Sequence, residues 1–363
     1  MTITRVETIL LPLPASRSRL SLTAPILPSS TFMAVVRVHT DGDHVGLGFT
    51  ATNVAGQVIR TLIESELASL IIGENPNDNE RLLSKAQGRF RATGWAGLAA
   101  RAYAAIDIAL WDLKSKTAGL PLFRLLGGAR SATSCFAGDL APIGSDPQQT
   151  VNAARPLLDQ GVLGVSVEVG GAEVQLDADR VQQIRDGLGE SAWLGISVDG
   201  RYDLGTALAM AHFYEEDVGI DWLDFPIPVE DRVGYQRLAE RMEVPLALGS
   251  TFDNRDDFRR ALERGEARVL RPDPLRLGGI TPLLKIAALA EAYQAAVVPY
   301  RLPEVGVHLA CGLPNVPMAE WGNWLAGAFA EPVTPKDGKL VPPNRPGHGF
   351  ELSPESVARY RIE

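Results

Sequence analysis

Val162-Leu163-Gly164-Val165-Ser166-Val167-Glu168-Val169 opens a series of short β-rich runs whose reading decides the fold. The series continues at 193–198, 222–225, 245–248, 269–271 and 296–299. Between the runs lie segments with the apolar spacing of helices, among them 207–216, 255–264 and 282–295. Such alternation implies parallel strands joined by helical crossovers. The residues at or just past the strand ends are Glu168, Asp199, Asp224, Ser250, Asp273 and Tyr300, spaced 23 to 31 residues apart. A strand, a loop, a helix and a return loop use about 25 residues. Runs at 134–137 and 318–320 bring the count to eight strands, enough to close a barrel. A doubly wound open sheet is the alternative, but it would want a Gly-rich phosphate loop after its first strand. Gly138-Asp139-Leu140-Ala141 is not one.

Upstream the rhythm differs. Segment 2–11 interleaves β-branched and charged residues, as a half-exposed strand does. Two further runs, 32–39 and 45–52, flank Thr40-Asp41-Gly42-Asp43, whose Asp-Gly pair signals a hairpin. Helical spacing follows at 57–72 and again at 97–118, where Ala105, Ile106, Ala109, Leu110 and Leu113 mark a buried face containing Asp107 and Asp112. Gly119 and Pro121 end that helix. Residues 1–125 therefore read as an α+β unit ahead of the barrel.

Composition narrows the function. The chain has 363 residues, 45% apolar and 22% charged, so it is neither disordered nor too small for two units. A formal charge of −9, with no basic stripe, argues against a general nucleic-acid binder. Cys135 and Cys311 are the only cysteines, too few for a disulfide framework or a cysteine zinc site. No apolar run has the length of a membrane span, and the N-terminus, interrupted by Arg5, Glu7, Pro12 and Pro14, does not read as a signal peptide. A soluble, cytoplasmic protein is expected.

Side chains at the C-terminal ends of barrel strands converge on one mouth. Glu168, Asp199, Asp224 and Asp273 would repel one another there unless a cation, a proton or arginines separate them. Arg201, Arg271, Arg276 and Arg301 are close enough in sequence to do so. The set reads as a divalent-metal or acid–base site, and the plainer reading of each aspartate is a helix or loop cap.

The stretch Ala104-Ala105-Ile106-Asp107-Ile108-Ala109-Leu110-Trp111-Asp112-Leu113-Lys114 carries a specific resemblance. So do Gly119-Leu120-Pro121-Leu122, Ser197-Val198-Asp199-Gly200, Arg271-Pro272-Asp273 with Gly278-Gly279-Ile280, and Pro346-Gly347-His348-Gly349. The chain resembles the enolase superfamily, in its mandelate racemase and muconate lactonizing enzyme branch, over almost its whole length. The resemblance implies a modified (β/α)7β TIM barrel at 126–324 and an α+β capping domain at 1–125 completed by the tail 325–363. It implies abstraction of the proton α to a carboxylate, an enediolate stabilised by a divalent metal, usually magnesium, and a small carboxylate substrate. A homo-oligomer is also implied.

The site residues depart from the family pattern. Ser166 and Glu168 stand where relatives carry the two lysines of Lys-x-Lys. Asp199 and Asp224 match two metal carboxylates, but Ser250 stands at the third. Asp273 matches the aspartate that partners a catalytic histidine, while Tyr300 replaces that histidine, and Glu320 matches the acidic residue of the last strand. Metal ligation is therefore expected of Asp199, Asp224 and Ser250, with Glu168, Asp199 and Asp224 as a displaced alternative triad. Proton transfer is expected of Tyr300 with Asp273, Glu168 and Glu320, the tyrosine pKa being lowered by Arg301 or Arg276. Ser166, Arg201 and Arg301 are expected to bind substrate. The segment 14–30 and Trp95 fit the loops that close over the mouth, although the tryptophan could equally be core. His308 reads as structural. Two functions follow: a racemase, cycloisomerase or dehydratase with altered groups, or a metal-free descendant with changed acid–base chemistry or ligand binding alone.

Overall fold

The structure, a computed structural model, describes residues 1–14 and 30–362. Three antiparallel strands come first: β1 (Ile3–Pro14), β2 (Ser30–Thr40) and β3 (Val45–Thr52). The Asp41-Gly42 turn joins β2 to β3 in the register that pairs Val36 with Gly48. The helix Leu98–Thr117 lies against this sheet. Gly46 and Gly48 permit the close approach, because a Cβ on either would strike the backbone of Ala109 or Ala105. The apolar stripes of 56–71 and Asn79–Arg89 complete a second core around Ile63, Leu67, Leu82 and Tyr103.

The barrel strands are β4 (Thr133–Ala141), β5 (Gly164–Glu168), β6 (Trp193–Ser197), β7 (Trp222–Asp224), β8 (Leu246–Leu248), β9 (Val269–Leu270), β10 (Ala296–Val297) and β11 (Met318–Trp321). From β4 to β10 each pairs in parallel with the next, and β11 returns to pair with β4. A backbone bond of 2.9 Å from Val297 to Asn315 bridges β10 and the approach to β11. Each crossover carries a helix, from Pro147–Asp159 after β4 to Pro303–Gly312 after β10, which makes the expected (β/α)7β barrel. Its lower interior is aromatic: Phe136, Trp193 and Trp222 meet with ring centroids 4.5 to 5.3 Å apart. Gly195 makes room for them, since a Cβ there would strike both tryptophan rings.

Two buried carboxylates of the helix Leu98–Thr117 bolt the upper unit to the rest. Asp107 accepts from the Thr281 amide at 2.9 Å and its hydroxyl at 2.5 Å, and burial pushes its carboxyl up to about 6. Asp112 accepts from the amides of Leu47 at 2.8 Å and His348 at 2.9 Å, and pairs with Lys116 at 2.6 Å. Gly279 and Gly347 have left-handed backbones, and a Cβ on either would strike Asp107 or Asp112 respectively. The conspicuous sequence motifs are therefore joints. The tail returns through β12 (Lys339–Leu340), antiparallel to β4, and the Ile362 amide reaches the Leu10 carbonyl at 3.0 Å. No helix among the described residues is long and apolar enough to cross a membrane.

Candidate active site

Interior positions alternate along a strand, so one pleat above the aromatic layer the barrel turns polar. Asp224 follows Trp222 by two residues, Arg271 follows Val269, Tyr300 follows Val298 and Glu320 follows Met318. Arg271, only 2% exposed, anchors this layer. Its Nε donates to Asp224 Oδ2 at 3.3 Å and its Nη2 to Glu320 Oε2 at 2.6 Å. Its guanidinium lies 4.8 Å from the Trp222 ring centroid and 5.2 Å from that of Tyr300. Glu320 also accepts from the Arg301 amide at 2.9 Å. Asp224 Oδ1 and Arg271 Nη1 are buried without a hydrogen-bond partner. Burial pushes Asp224 up to about 6, against the pull of Arg271.

A cavity of about 300 Å³ opens above this floor, between the barrel mouth and the upper unit. Thr31, Thr52, Asn53 and Arg101 line it from above, and Asp199, Asp273, Arg276, Tyr300, Arg301 and Trp324 from the barrel. Carboxylates hold the three arginines that line it among the described residues. Arg101 reaches Asp273 at 3.1 Å and the Ala51 carbonyl at 3.2 Å. Arg276 reaches Asp253 at 2.7 Å. Arg301 lies 3.6 Å from Glu168 and stacks 4.7 Å from Tyr300 and 5.6 Å from Trp324. The backbones of Asp199, Phe225, Arg301 and Leu302 adopt left-handed φ values of 48° to 59°. Such strain concentrates where side chains are aimed by surrounding structure.

The expected residues divide into layers. Asp199, Ser250, Asp273, Tyr300 and Arg301 line the cavity together. Asp224 and Glu320 lie in the floor on Arg271, and Glu168 pairs with Arg301 without lining the cavity. Ser166 is buried within β5, and Arg201 pairs with Asp199 at 3.6 Å outside the lining.

Two expectations are corrected. Tyr300 is not made more acidic by its arginines: burial, with Glu320, Glu168 and Asp199 nearby, pushes its phenol well up despite Arg301, and Arg276 is engaged by Asp253. The displaced triad of Glu168, Asp199 and Asp224 does not form, since among the described residues no three His, Cys, Asp or Glu side chains are grouped to hold an ion. Of the two alternatives for Trp95, the structure shows the core one: it does not line the cavity and packs on Tyr103 and Phe90, at 5.6 and 6.4 Å.

His308 is structural in its surroundings: it donates from Nε2 to the His348 carbonyl at 2.8 Å, and burial drives its pKa down to about 3. Segment 15–29 of the expected closing loop lies outside the described residues. Arg101 and Trp324 were not legible as site residues. Arg101 sits six residues before Asp107 on a helix of the upper unit, and Trp324 follows the last barrel strand.

An acidic-and-arginine mouth with a tyrosine at its centre, roofed by an α+β unit, defines a barrel enzyme of acid–base chemistry. The chain belongs to the mandelate racemase and muconate lactonizing enzyme branch of the enolase superfamily. The N-terminal domain model of that family matches residues 17–127, and the enolase C-terminal domain-like model matches 149–356. L-talarate/galactarate dehydratase of Salmonella typhimurium is 30% identical over 311 residues, 86% of this chain and 78% of that protein. The 3,6-anhydro-alpha-L-galactonate cycloisomerase of Streptomyces coelicolor is 29% identical over 91% of each chain. L-talarate dehydratase of Polaromonas sp. JS666, solved with Mg and L-glucarate, superposes with a TM-score of 0.88 at 31% identity, covering 99% of this chain and 98% of that one. The protein is thus an isomerase or lyase acting on a small carboxylate substrate.

Proposed function

We propose that the protein is a sugar-acid dehydratase that removes the proton α to the carboxylate and expels the neighbouring hydroxyl as water. The observation that carries this is the cavity itself: three guanidinia, hydroxyl and amide donors, one loosely held carboxylate and a protonated phenol face one space. Arg276 and Arg301 would bind the substrate carboxylate, and Arg301 would stabilise the enediolate formed from it. Thr31, Thr52 and Asn53 suit a polyhydroxylated chain. Asp199 is the base in this reading: it is 63% exposed and, among the described residues, pairs only with Arg201 at 3.6 Å, whereas Asp273 and Glu168 are engaged in holding Arg101 and Arg301. Tyr300, kept protonated by burial, is suited to give its proton to the departing hydroxyl. Glu320 and Asp224 act through Arg271. We assign residues 1–125 and 325–363 to the cap and 126–324 to the barrel.

A second reading, without a resident divalent ion, is favoured by the donor set. Mg²⁺ takes hard anionic oxygens in near-octahedral array. Here Asp224 is already bound to a guanidinium, Asp199 is turned to solvent beside Arg201, and the third position offers a serine hydroxyl. These residues do not fit the ion, and no step is assigned to it.

Incubation with a panel of mono- and dicarboxylic sugar acids, followed by detection of 2-keto acids, tests the function. At least one acid is expected to be dehydrated, with loss of turnover in Asp199→Asn. Turnover of none, with no α-proton exchange either, would refute the proposal.

A further inference from the structure

We infer that Arg271 is a built-in cation that occupies the electrostatic place of a divalent ion, so that this mouth is closed to metals by its own side chain. The guanidinium lies between two carboxylates on opposite sides of the barrel, Asp224 of β7 and Glu320 of β11, at 3.3 and 2.6 Å. Both partners are buried, at 1% and 3% exposure. Phe136, Trp222 and Tyr300 present ring faces to it at 4.8 to 5.6 Å. Arginine keeps its charge under these conditions, unlike lysine, because its pKa lies too high for burial to remove the proton.

A dication binding Asp224 would therefore meet a fixed positive charge already held on the same carboxylate. It would have to displace that charge from Asp224 and leave the guanidinium with Glu320 alone to neutralise it beside the aromatic rings. The open atoms of the pair, Asp224 Oδ1 and Arg271 Nη1, are one acceptor and one donor. That combination suits water better than a metal, which needs acceptors only. Arg271 does not line the cavity. It acts from below, through the face of Tyr300 and through Glu320, which holds the Arg301 amide. It is a positioning residue and a source of fixed positive potential beneath the reacting atoms.

The test uses the whole protein and needs no substrate, so it stands or fails apart from the proposed activity. Wild-type protein is titrated with MgCl2 and with MnCl2 by calorimetry, and its Tm is compared in EDTA and in millimolar Mg²⁺. No saturable heat and no change in Tm are expected. Arg271→Met removes the cation while keeping an unbranched apolar stem. This variant is expected to gain saturable Mn²⁺ binding, read by calorimetry and by loss of the free-ion paramagnetic resonance signal, and a second substitution, Asp224→Asn, is expected to abolish the gain. Saturable binding by the wild type that Asp224→Asn removes would overturn the inference, whether or not Arg271→Met folds. A folded Arg271→Met protein that gains no metal binding would overturn it equally.

Discussion

At the closed end of the barrel, Arg185 donates to the carbonyls of Val218 at 2.9 Å, Ala192 at 2.6 Å and Gly219 at 2.5 Å, joining the approaches to β6 and β7. Arg130 does the same below β11, reaching the Val316 carbonyl at 2.6 Å and that of Pro314 at 2.9 Å. At the open end, Arg271, Arg301, Arg101 and Arg276 each face a carboxylate. The same residue type serves two purposes. Below, neutral carbonyls satisfy the donors, and burial lowers the Arg185 pKa. Above, Glu320 and Asp224 more than offset burial, and the Arg271 pKa is raised. Carbonyl-bound arginines fix loops; carboxylate-bound arginines make a charged surface that an anionic substrate can share.

The same substitution at the two ends should have different consequences. Arg271→Met should lower kcat/KM by about 10³-fold or more per folded molecule, the scale of losing a preorganised charge at a developing anion. Arg185→Met should instead lower Tm, costing about 3 kcal/mol as buried carbonyls lose their donor, with kcat within about twofold of wild type. Paired denaturation and steady-state measurements decide the matter, and equal kinetic damage at both ends would remove the distinction.

Next in size, Tyr300→Phe should lower kcat about 10²-fold with little change in KM, because it deletes a proton donor and leaves the cavity shape. An unchanged kcat would take the tyrosine out of the chemistry. Arg276→Ala, at the rim, should raise KM about tenfold and leave kcat nearly alone if it binds the substrate in ground and transition state alike.

The smallest effect concerns a buried acid away from the mouth's lining. Burial pushes Glu304, whose Oε2 has no partner, up to about 7. The folded protein therefore holds a proton that the unfolded chain releases near 4.5, and stability attributable to this group falls as pH rises from about 4.5 to 7. Glu304→Gln should flatten that fall, stabilising the protein at pH 8 by on the order of 2 kcal/mol relative to its effect at pH 5. Urea denaturation at the two pH values measures it, and parallel shifts would show that Glu304 titrates normally.

Much of the fold was legible because hydrophobic period and turn chemistry agree. β3 (Val45–Thr52) begins and ends where its sequence run does, and the strand-end spacing together with the runs at 134–137 and 318–320 counted the barrel strands correctly. Helices Val174–Leu188 and Arg232–Arg241 were less visible, since they are polar and lean on the barrel by one narrow face. The second of them carries a capping signal at Asp231, whose side chain accepts from the Gly234 amide at 2.9 Å.

That several strand-end residues gather at one cavity was legible in the sequence, and how they pair there much less so. Asp199, Ser250, Asp273 and Tyr300 do share one cavity. Which carboxylate each arginine takes depends on barrel curvature that residue spacing does not carry. Arg101 comes from another unit altogether, 172 residues from its partner Asp273. The direction of the Tyr300 shift depends on burial, which outweighed the arginines nearby in sequence.

Proton abstraction by a mouth whose cations are arginines can be followed by running turnover of an accepted sugar acid in deuterated water containing EDTA, with NMR of the product. Undiminished turnover is expected, with the α-hydrogen of the substrate lost to solvent and one deuterium at the carbon that bore the departing hydroxyl. Retention of the α-hydrogen in the product, or activity that vanishes in EDTA and returns with Mg²⁺, would contradict it.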